Sequence, residues 1–126
     1  MARRKLLLGN WKMNHTIAES KEFCSHSADM IKLAAEKGID IGVAPSYLSL
    51  QTVKENAGNM IVAAQDCHFA DHGAYTGFVS IPMIKELGID WCLVGHSERR
   101  LYAAETSLTC RSEERRVGKE CRSRWS

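Results

Sequence analysis

A chain of 126 residues suits one compact domain and leaves little room for a second. Hydrophobic residues at 44% and charged residues at 25% are an ordinary globular balance, which excludes disorder of the whole chain. The formal charge of +2 is unevenly placed: residues 111–126 hold six Lys/Arg against three Asp/Glu and residues 1–110 eleven against twelve, so the body offers no electrostatic footprint for nucleic acid.

The opening "MARRKLLLGNWK" imitates the basic start of a secretory leader. Its apolar run is only Leu6–Leu8, too short for a signal or a membrane span, so a cytoplasmic location is expected. "KLLLGN" reads as a buried strand, Lys5–Asn10. Thr16 and Glu19 have the spacing of a capping box. Ile17, Phe23, Ala28, Ile31 and Ala35 then keep helical spacing up to Gly38, which predicts one helix closed by a glycine. "IDIGVAP" is a second strand. Ser46 is placed to cap a short helix through Leu48, Leu50 and Val53 that ends near Gly58. "MIVAAQ" is a third strand, and "DCHFADHGAYTGF" a loop without period. Ser80 and Pro82 open the helix "IPMIKEL", which Gly88 closes, and "IDWCLVG" is a fourth strand.

Strands alternating with helices imply a parallel sheet with right-handed crossovers, its strands covered on both faces. The C-terminal ends of such strands share one rim, where sites form. Asn10 and Lys12 follow the first strand, Gln65 ends the third and His96 follows the fourth. A cation and a hydrogen-bond donor at one rim suit an anionic substrate with a carbonyl. The five cysteines (24, 67, 92, 110 and 121) show no CxxC pair and no metal-ligand spacing, which fits reduced thiols and predicts no metal. Trp11, Cys67 and Cys92 read as packing residues, and His15, His26, His68 and His72 as surface residues.

Four motifs in order, "GNWKMN" (Gly9–Asn14), "AQD" (Ala64–Asp66), "GAYTG" (Gly73–Gly77) and "VGHSERR" (Val94–Arg100), resemble the triosephosphate isomerase family over residues 5–105. The resemblance implies an α/β fold, the N-terminal half of a (β/α)8 TIM barrel of about four βα units, truncated, occupying residues 1–110. It implies interconversion of the triose phosphates dihydroxyacetone phosphate and glyceraldehyde 3-phosphate, a step of glycolysis and gluconeogenesis, with no cofactor. In this family, itself a standard case of pKa tuning, a neutral histidine polarises the carbonyl while a glutamate moves the proton. By motif position His96 matches the electrophile and Lys12 the positive charge that attracts the substrate. Asn10 matches a substrate contact, or it ends its strand with a side-chain turn. Glu98 matches a residue that supports the lysine, or it is a surface partner of Arg99 or Arg100. A helical turn opening at Ser97–Arg100 would keep His96 neutral through its amide dipoles.

The resemblance further implies a homodimer in which the loop tip, Thr76, inserts into the partner subunit. Phe78 departs from the glutamate most members carry there; it packs against the partner or breaks a local ion pair. No counterpart of the family's glutamate base, closing lid or later phosphate-binding loops is found, so the fragment is expected to be inactive alone. Four strands without closure leave the first and fourth with open edges, and the chain is expected to be marginally folded. Residues 111–126, "RSEERRVGKECRSRWS", lack an apolar period and a strand pattern. They resemble the translation of a DNA-sequencing adapter, which makes them a non-native, disordered tail. The competing class is a non-catalytic βα binding module whose basic tail contacts nucleic acid or another anionic partner.

Overall fold

The computed structural model describes residues 4–102 and 122–124. Cys110, Cys121 and all but three residues of the stretch 111–126 lie outside the described residues. The chain divides into two compact units, Met1–Ala63 and Ala64–Ser126.

In the first unit the order is β1 (Lys5–Asn10), α1 (Ile17–Ser25), α2 (Ala28–Glu36), β2 (Ile39–Ala44), α3 (Tyr47–Asn56) and β3 (Ile61–Ala64), the last strand ending one residue into the second unit. β1 pairs parallel with β2 from Lys5↔Ile39 to Asn10↔Ala44, and β2 pairs parallel with β3 at Gly42↔Ile61 and Val43↔Val62. Val43, Ala44, Leu50, Val53, Ala57, Met60 and Val62 form the core, and α1 packs on α3. Gly42 stands where β2 and β3 meet closely: a Cβ there would lie 2.5 Å from the Ile61 carbonyl oxygen and 2.7 Å from Ile61 Cβ.

The capping box forms as its spacing predicts. The Thr16 hydroxyl accepts from the Glu19 N–H at 3.2 Å, and the Glu19 carboxylate accepts from the Thr16 N–H at 3.1 Å. That main-chain donor, followed by the Thr16 hydroxyl, holds the Glu19 carboxyl below its ordinary value. The box therefore stabilises the folded chain at neutral pH and loses that contribution as acid protonates Glu19.

Three expectations for this unit need correction. The single helix up to Gly38 is broken at His26–Ser27 into α1 and α2. Ser25 Oγ donates to the Glu22 carbonyl at 2.6 Å and Ser27 Oγ to the Cys24 carbonyl at 2.8 Å, so both hydroxyls compete with the helical ladder at this point. β1 is not covered on both faces: Lys5, Leu7 and Gly9 face solvent, and Leu7 is 70% exposed. Ser46 sits at the N-cap of α3, but its side chain makes no capping bond.

In the second unit α4 (Ile81–Glu86) follows the long loop, with Pro82 in its first turn. β4 (Trp91–Leu93) and α5 (Ser97–Tyr102) complete the alternation. Ile81, Ile84, Ile89, Cys92, Leu93 and Val94 are its buried apolar residues. Arg122–Arg124 form β5, parallel to β4 from Trp91↔Arg122 to Leu93↔Arg124. No strand was expected in that stretch, and an open edge was expected on β4. Pairing uses only main-chain donors and acceptors, so a strand edge accepts a segment that has no strand pattern of its own. Among the described residues no helix is long and apolar enough to cross a membrane.

Gly42→Ala is expected to overpack the β2–β3 contact and lower stability by about 1–3 kcal/mol. Thr16→Ala is expected to cost about 1 kcal/mol. Urea denaturation of the two variants beside the parent chain checks both values and their order.

Candidate active site

The loop after β1 is held from three sides. The Trp11 N–H donates to the Ala44 carbonyl at 3.1 Å, which carries the β1–β2 ladder one residue further. The Trp11 indole lies edge-on to His15, ring centroids 4.7 Å apart, and to Phe23 at 5.0 Å. Asn14 Nδ2 donates to the Trp11 carbonyl at 2.8 Å. Between these anchors Asn10 Oδ1 accepts the Lys12 N–H at 3.0 Å, which is the side-chain turn weighed for Asn10 in the sequence. Lys12 has φ 56° and His15 φ 72°, left-handed conformations that cost a side-chain-bearing residue free energy. The strain leaves Lys12 on the exposed side of the loop.

His96 is reached through Gly95, whose φ of 62° turns the chain from β4 into α5. The His96 carbonyl accepts the Arg99 N–H at 2.9 Å and the Arg100 N–H at 3.1 Å, so the histidine caps the helix with its own main chain. Arg100 Nε donates back to the Gly95 carbonyl at 3.1 Å. The imidazole is buried, and its Nδ1 accepts the Glu98 N–H at 3.1 Å. A ring nitrogen that accepts carries no proton, so the proton sits on Nε2, which makes the ring a neutral donor. Glu98 Oε2 lies 3.6 Å from the same Nδ1. With that nitrogen unprotonated the approach is not an ion pair, and the main-chain bond sets the geometry.

Asp66, which the sequence offered only as the end of a motif, is a buried carboxylate with 8% of its side chain exposed. Its Oδ2 lies 2.9 Å from Arg99 Nη2. The signal available in the sequence was an acidic residue directly after an apolar strand, which burial there obliges to find a cation.

The loop between β3 and α4 is organised by a residue read as a surface one. His68 is buried, its N–H donates to the Val79 carbonyl at 2.8 Å, and it bridges to Ser80. The ring centroids of Phe69, Tyr75 and Phe78 lie 4.3, 4.2 and 4.6 Å from its own. The surface assignment is corrected: an imidazole is flat enough to stack, and three aromatic residues within ten positions of it supply the faces. Phe78 touches the His68 and Tyr75 rings of its own loop and stays half exposed. His68 Nε2 and Ser80 Oγ are buried without a hydrogen-bond partner and line a cavity of about 40 Å³. Thr76 is exposed at the tip.

In the first unit a cleft of about 680 Å³ lies between the loop after β1 and the start of α3, lined among others by Met13, Ile17, Leu48 and Ser49. Met13 is 95% and Leu48 84% exposed, large apolar side chains left uncovered. Cys24, Cys67 and Cys92 are buried free thiols, and burial raises the Cys24 pKa. Among the described residues no three His, Cys, Asp or Glu side chains converge as a metal site.

A sequence model of the triosephosphate isomerase family matches residues 5–120. The chain is 43% identical over 110 residues to the triosephosphate isomerase of Chlorobium phaeovibrioides, covering 85% of this chain and 43% of that protein. It is 41% identical over 109 residues to that of Clostridium botulinum, with the same coverage of each. Against the enzyme of Gloeobacter violaceus it is 44% identical over 107 residues, covering 85% of this chain and 44% of that protein. The chain thus spans less than half the length of these curated relatives. The family match also runs ten residues into the stretch 111–126.

Glu98→Gln is expected to leave the His96 tautomer unchanged, because the bond to Nδ1 comes from the main chain. Glu98→Pro removes that N–H in the first helical turn, where proline is tolerated, and is expected to release the tautomer. Nitrogen-15 NMR of the His96 ring distinguishes the two outcomes.

Proposed function

The chain belongs to the triosephosphate isomerase family, with the α/β fold of the N-terminal half of its barrel, and from that premise we propose that it carries the electrophilic, substrate-binding part of an isomerase interconverting dihydroxyacetone phosphate and glyceraldehyde 3-phosphate. The observation that carries the reading is the His96 ring, held by the Glu98 amide with its proton on Nε2. Such a donor faces the oxygen on which negative charge grows when a proton leaves the carbon beside a carbonyl. Preorganised donors at that position lower the barrier more than any other single effect. Lys12 supplies the positive charge for the phosphate-bearing substrate, and Asn10 both shapes the lysine turn and contacts the substrate. Glu98 presents its amide to His96.

The reaction passes a proton from one carbon to its neighbour through an enediolate. The C–H electron pair moves into the carbon skeleton, the carbonyl oxygen takes up charge, and a base carries the proton across. No net redox change occurs, so the reading calls for no cofactor. None of these 126 residues matches the family's glutamate base, so they do not turn over substrate on their own. The buried free thiols among the described residues suit a reducing cytoplasm.

The partner is a second copy. The exposed Met13, Ile17 and Leu48 around the large cleft are an apolar surface that water disfavours, and the Thr76 tip of another copy fits it. The aromatic cluster beneath that tip holds it in shape before docking, which reduces the ordering cost of association.

The test supplies the missing half in trans, as the C-terminal portion of a curated relative. The chain alone is expected to run at the uncatalysed rate, and the pair to show isomerase turnover. His96→Asn in this chain is expected to lower the reconstituted kcat by about 10²–10³-fold. Turnover by the chain alone, or a reconstituted rate indifferent to His96, sinks the reading.

A further inference from the structure

We propose that Asp66 is a positioning residue for His96, acting through Arg99. The proposal rests on the reading of His96 as the electrophile, but its geometry stands apart from that reading. α5 opens at Ser97, directly after the histidine. Its first turn decides what the imidazole does, because the Glu98 N–H fixes Nδ1. The Arg100 bond to the Gly95 carbonyl ties that turn to its own approach segment. The Asp66–Arg99 pair at 2.9 Å ties it to a residue 33 positions earlier, just beyond the end of β3.

That tie is built to be stiff. Asp66 is buried, and a buried carboxylate that loses its cation is strongly disfavoured, so the pair does not open readily. A charge-assisted bond to a guanidinium is short and directional, which fixes the angle of approach as well as the distance. The Arg99 N–H also donates to the His96 carbonyl at 2.9 Å. One residue therefore grips Asp66 with its side chain and the histidine with its main chain. Displacing it moves the Glu98 amide off Nδ1 and frees the ring to rotate or change tautomer. Misplacement of a reacting group by about 1 Å is enough to cost a large factor in rate.

The experiment reads the ring directly, by nitrogen-15 NMR of histidine-labelled protein, and reads the rate in the reconstituted assay. Asp66→Ala combined with Arg99→Met removes both charges of the pair together. Its His96 nitrogens are expected to move from the fixed Nε2–H pattern toward the average of a freely exchanging imidazole. The reconstituted kcat is expected to fall about tenfold or more with KM little changed. Asp66→Asn, whose amide oxygen still accepts from Arg99, is expected to keep the parent pattern. A folded double variant with unshifted His96 resonances overturns the proposal, and so does loss of the pattern in Asp66→Asn as complete as in the double variant. Should the double variant not fold, Arg99→Lys decides. It keeps the charge and drops the planar fork, so shifted resonances support the proposal and unshifted ones overturn it. If the parent chain gives no reconstituted turnover, the isomerase reading fails while the NMR result still settles the positioning role.

Discussion

A main-chain amide pointing at a ring nitrogen is a small interaction on which much depends here. The Glu98 N–H reaches His96 Nδ1 only if α5 starts directly after Gly95, with the chain turned through a positive φ and the first turn already wound. Once made, it removes a choice the imidazole would otherwise have, since a neutral ring in water exchanges its proton between two nitrogens. β4 brings the histidine to its position, the glycine turns it, and the helix assigns its proton. The chemistry is thus written in main-chain geometry more than in neighbouring charges.

The same economy governs the loop after β1. Lys12 is held in a left-handed conformation by an asparagine two residues earlier and by a tryptophan clamped between His15 and Phe23. Strain at an exposed lysine persists only when its surroundings determine it several times over. The ladder bond from Trp11, the Asn14 amide and the aromatic contacts provide that redundancy. In the loop between β3 and α4 the ordering principle differs: rings gathered around a buried imidazole replace hydrogen bonds as the internal frame.

What could be read from the sequence follows the range of each interaction. The Thr16–Glu19 box was legible because both partners lie in a four-residue window with a fixed pattern. The end of α2 just before Gly38 and the start of α4 at Pro82 rest on equally local signals, whereas Ser46 marks the start of α3 without making the capping bond. The break at His26–Ser27 was not, because serine hydroxyls bonding to carbonyls three residues back leave the apolar period intact. The exposure of Leu7 was missed because a leucine run looks the same whether or not something covers it. Asp66 and Arg99 find each other across 33 residues, and no local pattern marks such a pair. His68 was taken for a surface residue since nothing in its spacing reveals that Phe69, Tyr75 and Phe78 close over it. For the site, the motifs placed His96, Lys12 and Asn10 at strand ends, while the bond that fixes the His96 proton emerged only with coordinates.

The ring cluster has a consequence for observation. Aromatic rings stacked within a few ångströms of an imidazole shift the resonances of its carbon-bound protons through their circulating π electrons, and the shift falls steeply with distance. Among the described residues, His68 is the histidine with three such neighbours, at 4.2, 4.3 and 4.6 Å. Its proton lines are expected to stand apart in an ordinary one-dimensional spectrum, without any attached label. They give a native gauge of whether the loop is assembled, readable in the same tube in which the rest of the chain is being unfolded.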